Sequence, residues 1–150
     1  MDTTSFSASH PTSGVTFQHR DFCLFVRYLQ WSLEHSAEMA QTYLRLLEMA
    51  PTDDEAERIE TMLREENKHF GLFESMYKEL RGHTPKVRPE PVFFETYRDG
   101  LQAAVHRERT AIKQFRDTYL LTPSPRIRDV FFLTLYDKWD HIVSLLLMDR

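Results

Sequence analysis

A single cysteine, Cys23, stands among 150 residues. The chain can therefore form no internal disulfide, no multi-cysteine zinc site and no iron-sulfur or rubredoxin-type centre, and Cys23 is expected to serve as a buried small hydrophobe. Neither sign of charge is in large excess. A formal net charge of -4 and a pI near 6.0 give no electrostatic reason to expect nucleic acid or an anionic membrane surface as a partner. Met1 to Val15 are rich in Ser and Thr and lack the basic start and apolar centre of a signal peptide, and no apolar run is long enough to span a bilayer. The expectation is a cytoplasmic chain with a mobile tail over residues 1–16 and a single domain over 17–150, large enough to bury a core.

What the sequence does contain is a near repeat of itself. Phe22, Leu29, Gln30, Pro51, Leu63, His69 and Met76 map without a gap onto Phe94, Leu101, Gln102, Pro123, Leu135, His141 and Met148. Tyr43/Phe115, Leu33/Val105 and Glu65/Asp137 are conservative matches in the same register. Two helical hairpins are implied, each presenting one histidine, which is how a four-helix bundle builds a site at its centre.

The spacing of apolar residues predicts four helices. Phe22, Val26, Leu29, Leu33, Ala40, Tyr43 and Leu47 recur mostly at alternating threes and fours, giving a first helix from about Gln18 to Met49, stopped by Pro51. Thr52-Asp53-Asp54-Glu55 is a capping-box start for a second helix that ends near Gly82. A third helix is expected from about Pro91 to just before Pro123, and Ser124-Pro125 reads as the N-cap and first residue of a fourth that continues almost to Arg150. The short connections within each hairpin make its helices antiparallel neighbours. The proline-rich segment from Gly82 to Pro91 favours an extended chain of about 3.1 Å per residue, or roughly 30 Å, enough to cross the length of a bundle. The predicted fold is all-α: a four-helix bundle of two hairpins joined by one long crossover.

Polar residues then interrupt every predicted seam at mid-height. The second helix reads Ile59, Met62, Glu66, His69, Phe73, Met76, Leu80; the third Phe94, Leu101, Glu108, Phe115; the fourth Ile127, Phe131, Thr134, Lys138, His141, Leu145, Met148; the first Phe22, Leu29, Ser36, Tyr43. Carboxylates inside a bundle must be protonated, paired or bound to a cation. Glu66, His69, Glu108 and His141 offer the mixed oxygen and nitrogen donors that iron, manganese or zinc accept. Glu65 and Asp137, each four residues before a histidine, can orient an imidazole on their own helix or across the bundle.

On these residues the chain resembles the ferritin-like superfamily, in particular its rubrerythrin-type branch, over residues 20 to 148. In that family the first and third helices each contribute a glutamate and the second and fourth each contribute E-x-x-H, together holding two irons. Arg64-Glu65-Glu66-Asn67-Lys68-His69 matches the second-helix motif, and Glu108 followed by Ala111, Ile112 and Phe115 looks like the third-helix glutamate. The pattern fails twice: Ser36 stands where the repeat expects a glutamate, and Lys138 where the second E-x-x-H should have one. Glu34 and Glu38 lie about 160 to 200° around the helix from Ser36 and do not share its seam. With two of six ligands missing, one ion per chain is the expectation, held by Glu108 and His141 with Glu66 and His69 as further donors. Lys138 either replaces the charge of a second cation or pairs with Glu66 and Glu108 and displaces metal altogether.

The resemblance therefore implies a rubrerythrin-like metal-binding protein, an oxidoreductase on oxygen, peroxide or iron that takes electrons from an external donor. The alternative is a metal-free scaffold or oligomerisation module whose Glu/His/Lys cluster is structural. The remaining histidines, His10, His19, His35, His83 and His106, read as tail, linker or surface residues, and Tyr43 and Phe115 as packing that flanks the site. Trp31 and Trp139, with Phe132 and Tyr136, read as an outer apolar stripe that would support a homodimer.

Overall fold

In a computed structural model the chain is described at residues 6–7, 16–17 and 19–149. Four helices dominate: α1 His19–Met49, α2 Asp53–Arg81, α3 Tyr97–Leu121 and α4 Pro125–Met148. Most of the predicted tail lies outside the described residues. β1 Phe6–Ser7 of the tail pairs antiparallel with β2 Thr16–Phe17 at its boundary with the domain, Phe6 opposite Phe17 and Ser7 opposite Thr16. No helix among the described residues is long and apolar enough to cross a membrane.

The helix ends are set by local chemistry. Thr52 Oγ1 accepts from the Glu55 amide at 3.2 Å and its hydroxyl donates to the Glu55 carboxylate at 2.9 Å, a capping pair between the residues that sequence spacing indicates. Gly82 closes α2 at a φ of 76°, a left-handed value that glycine adopts without strain, and donates its amide to the Lys78 carbonyl at 2.8 Å. Ser124 caps α4 with Pro125 in its first turn, as expected. The start of α3 differs: the helix begins at Tyr97, six residues after Pro91, because Thr96 caps it through the Asp99 amide at 3.1 Å. Phe94, read as the first residue of the helical stripe, instead folds back as a plug over the first turn. Its carbonyl accepts from Arg45 Nη2 at 3.0 Å, and its ring lies against Gly100.

That plug explains Gly100. A Cβ there would sit 2.5 Å from Phe94 Cε2 and 2.6 Å from Leu46 Cδ2. Gly100→Ala is expected to cost about 1–3 kcal/mol by overpacking. Thermal unfolding checks this, and an unchanged midpoint would mean that Phe94 moves aside freely.

Each hairpin packs as an antiparallel pair, α1 with α2 and α3 with α4, and the hairpins meet through α1 on α3 and α2 on α4. The crossover makes this possible by climbing the outside of α1. Gln30 Nε2 donates to the Lys86 carbonyl at 2.7 Å, the Glu90 amide donates to Glu38 Oε1 at 3.0 Å, and Arg45 reaches Phe94. The core falls into two apolar blocks. One contains Phe25, Leu29, Leu33, Phe73, Phe115 and Phe131; the other contains Met39, Tyr43, Leu46, Ile59, Leu101 and Leu145. Between them lies a fully buried polar layer.

Candidate metal centre

Every helix contributes to that layer from its inward face: Ser36 from α1, Glu66 and His69 from α2, Glu108 from α3, Lys138 and His141 from α4, all 0–1 % exposed. The apolar blocks above and below exclude water, so these groups must satisfy one another. Lys138 Nζ donates to Glu66 Oε1. It also lies 3.2 Å from both Glu108 oxygens, hydrogen-bonding to Oε1 alone. Tyr43 donates its hydroxyl to Glu108 Oε1 at 3.1 Å.

The two histidines are held by crossed pairs. His69 Nε2 meets Asp137 Oδ2 at 2.8 Å, and His141 Nε2 meets Glu65 Oε2 at 2.6 Å, so each imidazole is fixed by an acid from the opposite hairpin. Both acids are the ones four residues before a histidine in the sequence. With Nε2 engaged, each ring turns Nδ1 inward. His141 Nδ1 lies 3.5 Å from Glu66 Oε1 and 3.9 Å from Glu108 Oε2, while His69 Nδ1 lies 3.7 Å from Glu66 Oε2. An acid on one ring nitrogen and a bare inner nitrogen on the other is the arrangement that orients metal-binding imidazoles.

Electrostatics follow from crowding in a dry layer. Burial pushes the Glu66 carboxyl up, but the Lys138 ammonium and the neighbouring His141 and His69 rings outweigh it and hold it well below the usual carboxylate range. Burial disfavours the charged form of Lys138, yet Glu108 and Glu66 raise it above its ordinary value. His141 is likewise opposed by burial and is nonetheless pushed up to about 11 by the neighbouring Glu108 carboxylate, the hydrogen bond with Glu65 and the nearby Glu66 carboxylate. Burial raises Tyr43 well above 10, helped by Glu108, so it remains a phenol that donates.

Not every group is satisfied. Ser36 Oγ, Glu66 Oε2, His69 Nδ1, Glu108 Oε2 and His141 Nδ1 are buried without a hydrogen-bond partner. An unmade bond of this kind costs about 1–3 kcal/mol, more when the group is charged. Donor atoms of Glu66, Glu108 and His141 all lie within 4.8 Å of one another, and two carboxylates with one imidazole suit iron, manganese or zinc. These residues fit one ion. Ser36 offers no further carboxylate, and the Lys138 ammonium lies against both Glu66 and Glu108, so an ion held by these donors would have to share their charge with it or displace it. His69 faces the other Glu66 oxygen.

Sequence reasoning located Glu66, His69, Glu108, His141, Ser36 and Lys138 in one layer. Glu34 and Glu38 lie off the seam, as expected: Glu34 accepts from Gln30 at 3.0 Å, and Glu38 accepts from Arg107 at 2.8 Å and from the crossover. Three expectations are corrected. His35 is not a surface residue but is 5 % exposed, stacked on Trp31 at 5.0 Å and edge-on to Phe115, with Nε2 unpartnered. Burial and the nearby Lys138 ammonium hold it well below its usual value, so it is neutral. Trp31 is therefore drawn inward, away from any outer stripe; the signal for both was their separation by four residues on one helix face. Cys23 is exposed, because it follows the seam residue Phe22 and so points off the core. His83 and His106 are exposed, as expected, while the side chains of His10 and His19 lie outside the described residues. Beside His35 a cavity of about 370 Å³ opens between α1 and the crossover, lined also by Trp31, Glu34, Glu38, Arg88 and Glu90.

No protein-family model matches the chain. It is 25% identical over 134 residues to the uncharacterized protein YhjR of Bacillus subtilis (strain 168), covering 88% of this chain and 92% of that one. Its structure is similar to that of a protein from Bacillus anthracis str. Ames described as ferritin-like and diiron-carboxylate, with a TM-score of 0.77 and 18% identity over 89% of this chain and 100% of the other. It is also similar to a hypothetical protein from Pyrococcus furiosus, with a TM-score of 0.72 and 15% identity over 83% of this chain and 87% of that one. The fold is ferritin-like.

Proposed function

We propose that this chain is a rubrerythrin-like protein that binds a single metal ion through Glu66, Glu108 and His141, with His69 as a further donor, and acts as an oxidoreductase on oxygen, peroxide or iron. The observation that carries the reading is the convergence of three buried donor groups, each with an unpartnered atom, within one dry layer. The described likeness of the Bacillus anthracis protein to diiron-carboxylate proteins supports the metal part of it.

The roles of the residues follow from their positions. Glu66 and Glu108 supply negative charge and oxygen donors. His141 supplies Nδ1 once the proton held there by the surrounding carboxylates has left, so loading releases a proton. Glu65 fixes the ring through Nε2. Tyr43 keeps Glu108 oriented with its phenolic proton, and Lys138 balances the charge that a second cation would otherwise carry. An iron or manganese ion bound here supplies one-electron chemistry, and zinc supplies Lewis acidity. Electrons come from a separate partner, since one cysteine builds no internal relay.

Elemental analysis of untagged protein loaded anaerobically with ferrous iron or manganese is expected to give close to one ion per chain, falling to near zero in both Glu108→Ala and His141→Ala. Metal content unchanged in both variants would sink the reading. The metal-free scaffold is the second reading, favoured by the ammonium of Lys138 already lying against both carboxylates.

A further inference from the structure

The outward face of α4 is unlike the rest of the surface. Phe132, Leu133, Tyr136, Trp139, Val143, Leu146 and Leu147 are each 45–67 % exposed. At these exposures the seven side chains present on the order of 700 Å² of apolar surface. That exceeds the roughly 300–600 Å² of the largest patch on a typical monomer and approaches the roughly 800 Å² that each partner contributes to a standard interface. We propose that α4 is a self-association face, on which a second copy of this chain packs its own α4 in antiparallel orientation.

Three features commit the face to this occupant. Phe132, Tyr136, Trp139, Val143 and Leu146 follow one another at spacings of four, three, four and three. That is the pattern of a two-helix seam, so the complementary surface is another helix. The stripe is also self-complementary under one twofold axis. With the axis passing between Tyr136 and Trp139, Phe132 meets Val143 of the second copy and Tyr136 meets Trp139. A parallel arrangement would instead set Asp129 beside Asp129 and Asp140 beside Asp140, like charges that the antiparallel one separates. Finally, the exposed charged residues of α4 are Arg126, Asp129 and Asp140. A helix lying on a membrane carries a rim of Lys and Arg, and this one is rimmed mainly by acid.

The test uses the full chain. Sedimentation equilibrium at micromolar concentration is expected to give twice the chain mass of 17.9 kDa. Trp139→Glu and Tyr136→Glu, at exposed positions where the fold does not need the side chain, should each weaken association on the order of 100-fold while leaving helical circular dichroism unchanged. For the register, Phe132→Cys combined with Val143→Cys in a Cys23→Ser background should oxidise to a covalent dimer, and neither single cysteine should. A monomeric wild-type chain, a dimer indifferent to both glutamates, or cross-linking by Phe132→Cys alone would each overturn the proposal. So would a monomer that binds vesicles of anionic phospholipid through this face. Metal content is measured on the same samples and does not enter these readouts.

Discussion

Lys138→Met is expected to lower the unfolding free energy of the metal-free protein by about 3–5 kcal/mol, the cost of removing one partner from a buried ion pair. The Lys138 ammonium is fully buried between Glu66 and Glu108, out of reach of bulk solvent. Methionine matches the length of the lysine stem but leaves two carboxylates without their cation. Urea denaturation checks the size of the effect. The same variant separates the two functional readings: a divalent ion restores the missing positive charge, so manganese should recover most of the loss and stabilise the variant more than the wild type. A variant that is destabilised and indifferent to metal would favour the ionic scaffold.

The converse change should alter stoichiometry. Under the pseudo-twofold relation of the hairpins, Ser36 is the counterpart of Glu108, and Lys138 is the counterpart of Glu66. Ser36→Glu together with Lys138→Glu would supply the two carboxylates that the layer lacks, and Ser36 already lies fully buried on the correct face. Elemental analysis of the double variant is expected to rise from one ion per chain to two. Without metal, its four buried carboxylates should leave it far less stable than the wild type, by several kcal/mol. A folded double variant that still held one ion would show that Ser36 does not face the second position.

The four helices and the polar layer were legible because both rest on periodicity. Apolar residues every three or four positions define a seam, and a Glu, His or Lys on that seam is conspicuous. What escaped was anything decided by a neighbour that periodicity does not reveal. His35 lies about 100° around α1 from Ser36, a direction that faces solvent in an isolated hairpin. Here α3 and the climbing crossover cover that side, and no sequence pattern says on which flank a linker will run. Phe94 misled for a related reason. Its spacing from Leu101 suits a helix, but Thr96 and Asp99 offered a cap, and the notch at Gly100 gave the ring a place to go. The crossed pairing of Glu65 and Asp137 was visible only as two possibilities, since spacing alone does not say whether an acid serves its own helix or the one opposite.

The crossed clamps of His69 with Asp137 and His141 with Glu65 bear on how such a layer can change over evolutionary time. Two identical hairpins associating as separate molecules could form those clamps equally well, but every substitution would then appear twice. A glutamate changed to serine would vanish from both sides, and a glutamate changed to lysine would set two ammonium groups face to face. Joining the hairpins by the segment that climbs α1 removes this constraint. Ser36 can then sit across from a retained Glu108, and Lys138 across from a retained Glu66. The covalent link thus permits asymmetry: each half can differ from the other at a single position, serine at 36 in the first and lysine at 138 in the second, while Glu66, Glu108 and His141 from the two halves still converge.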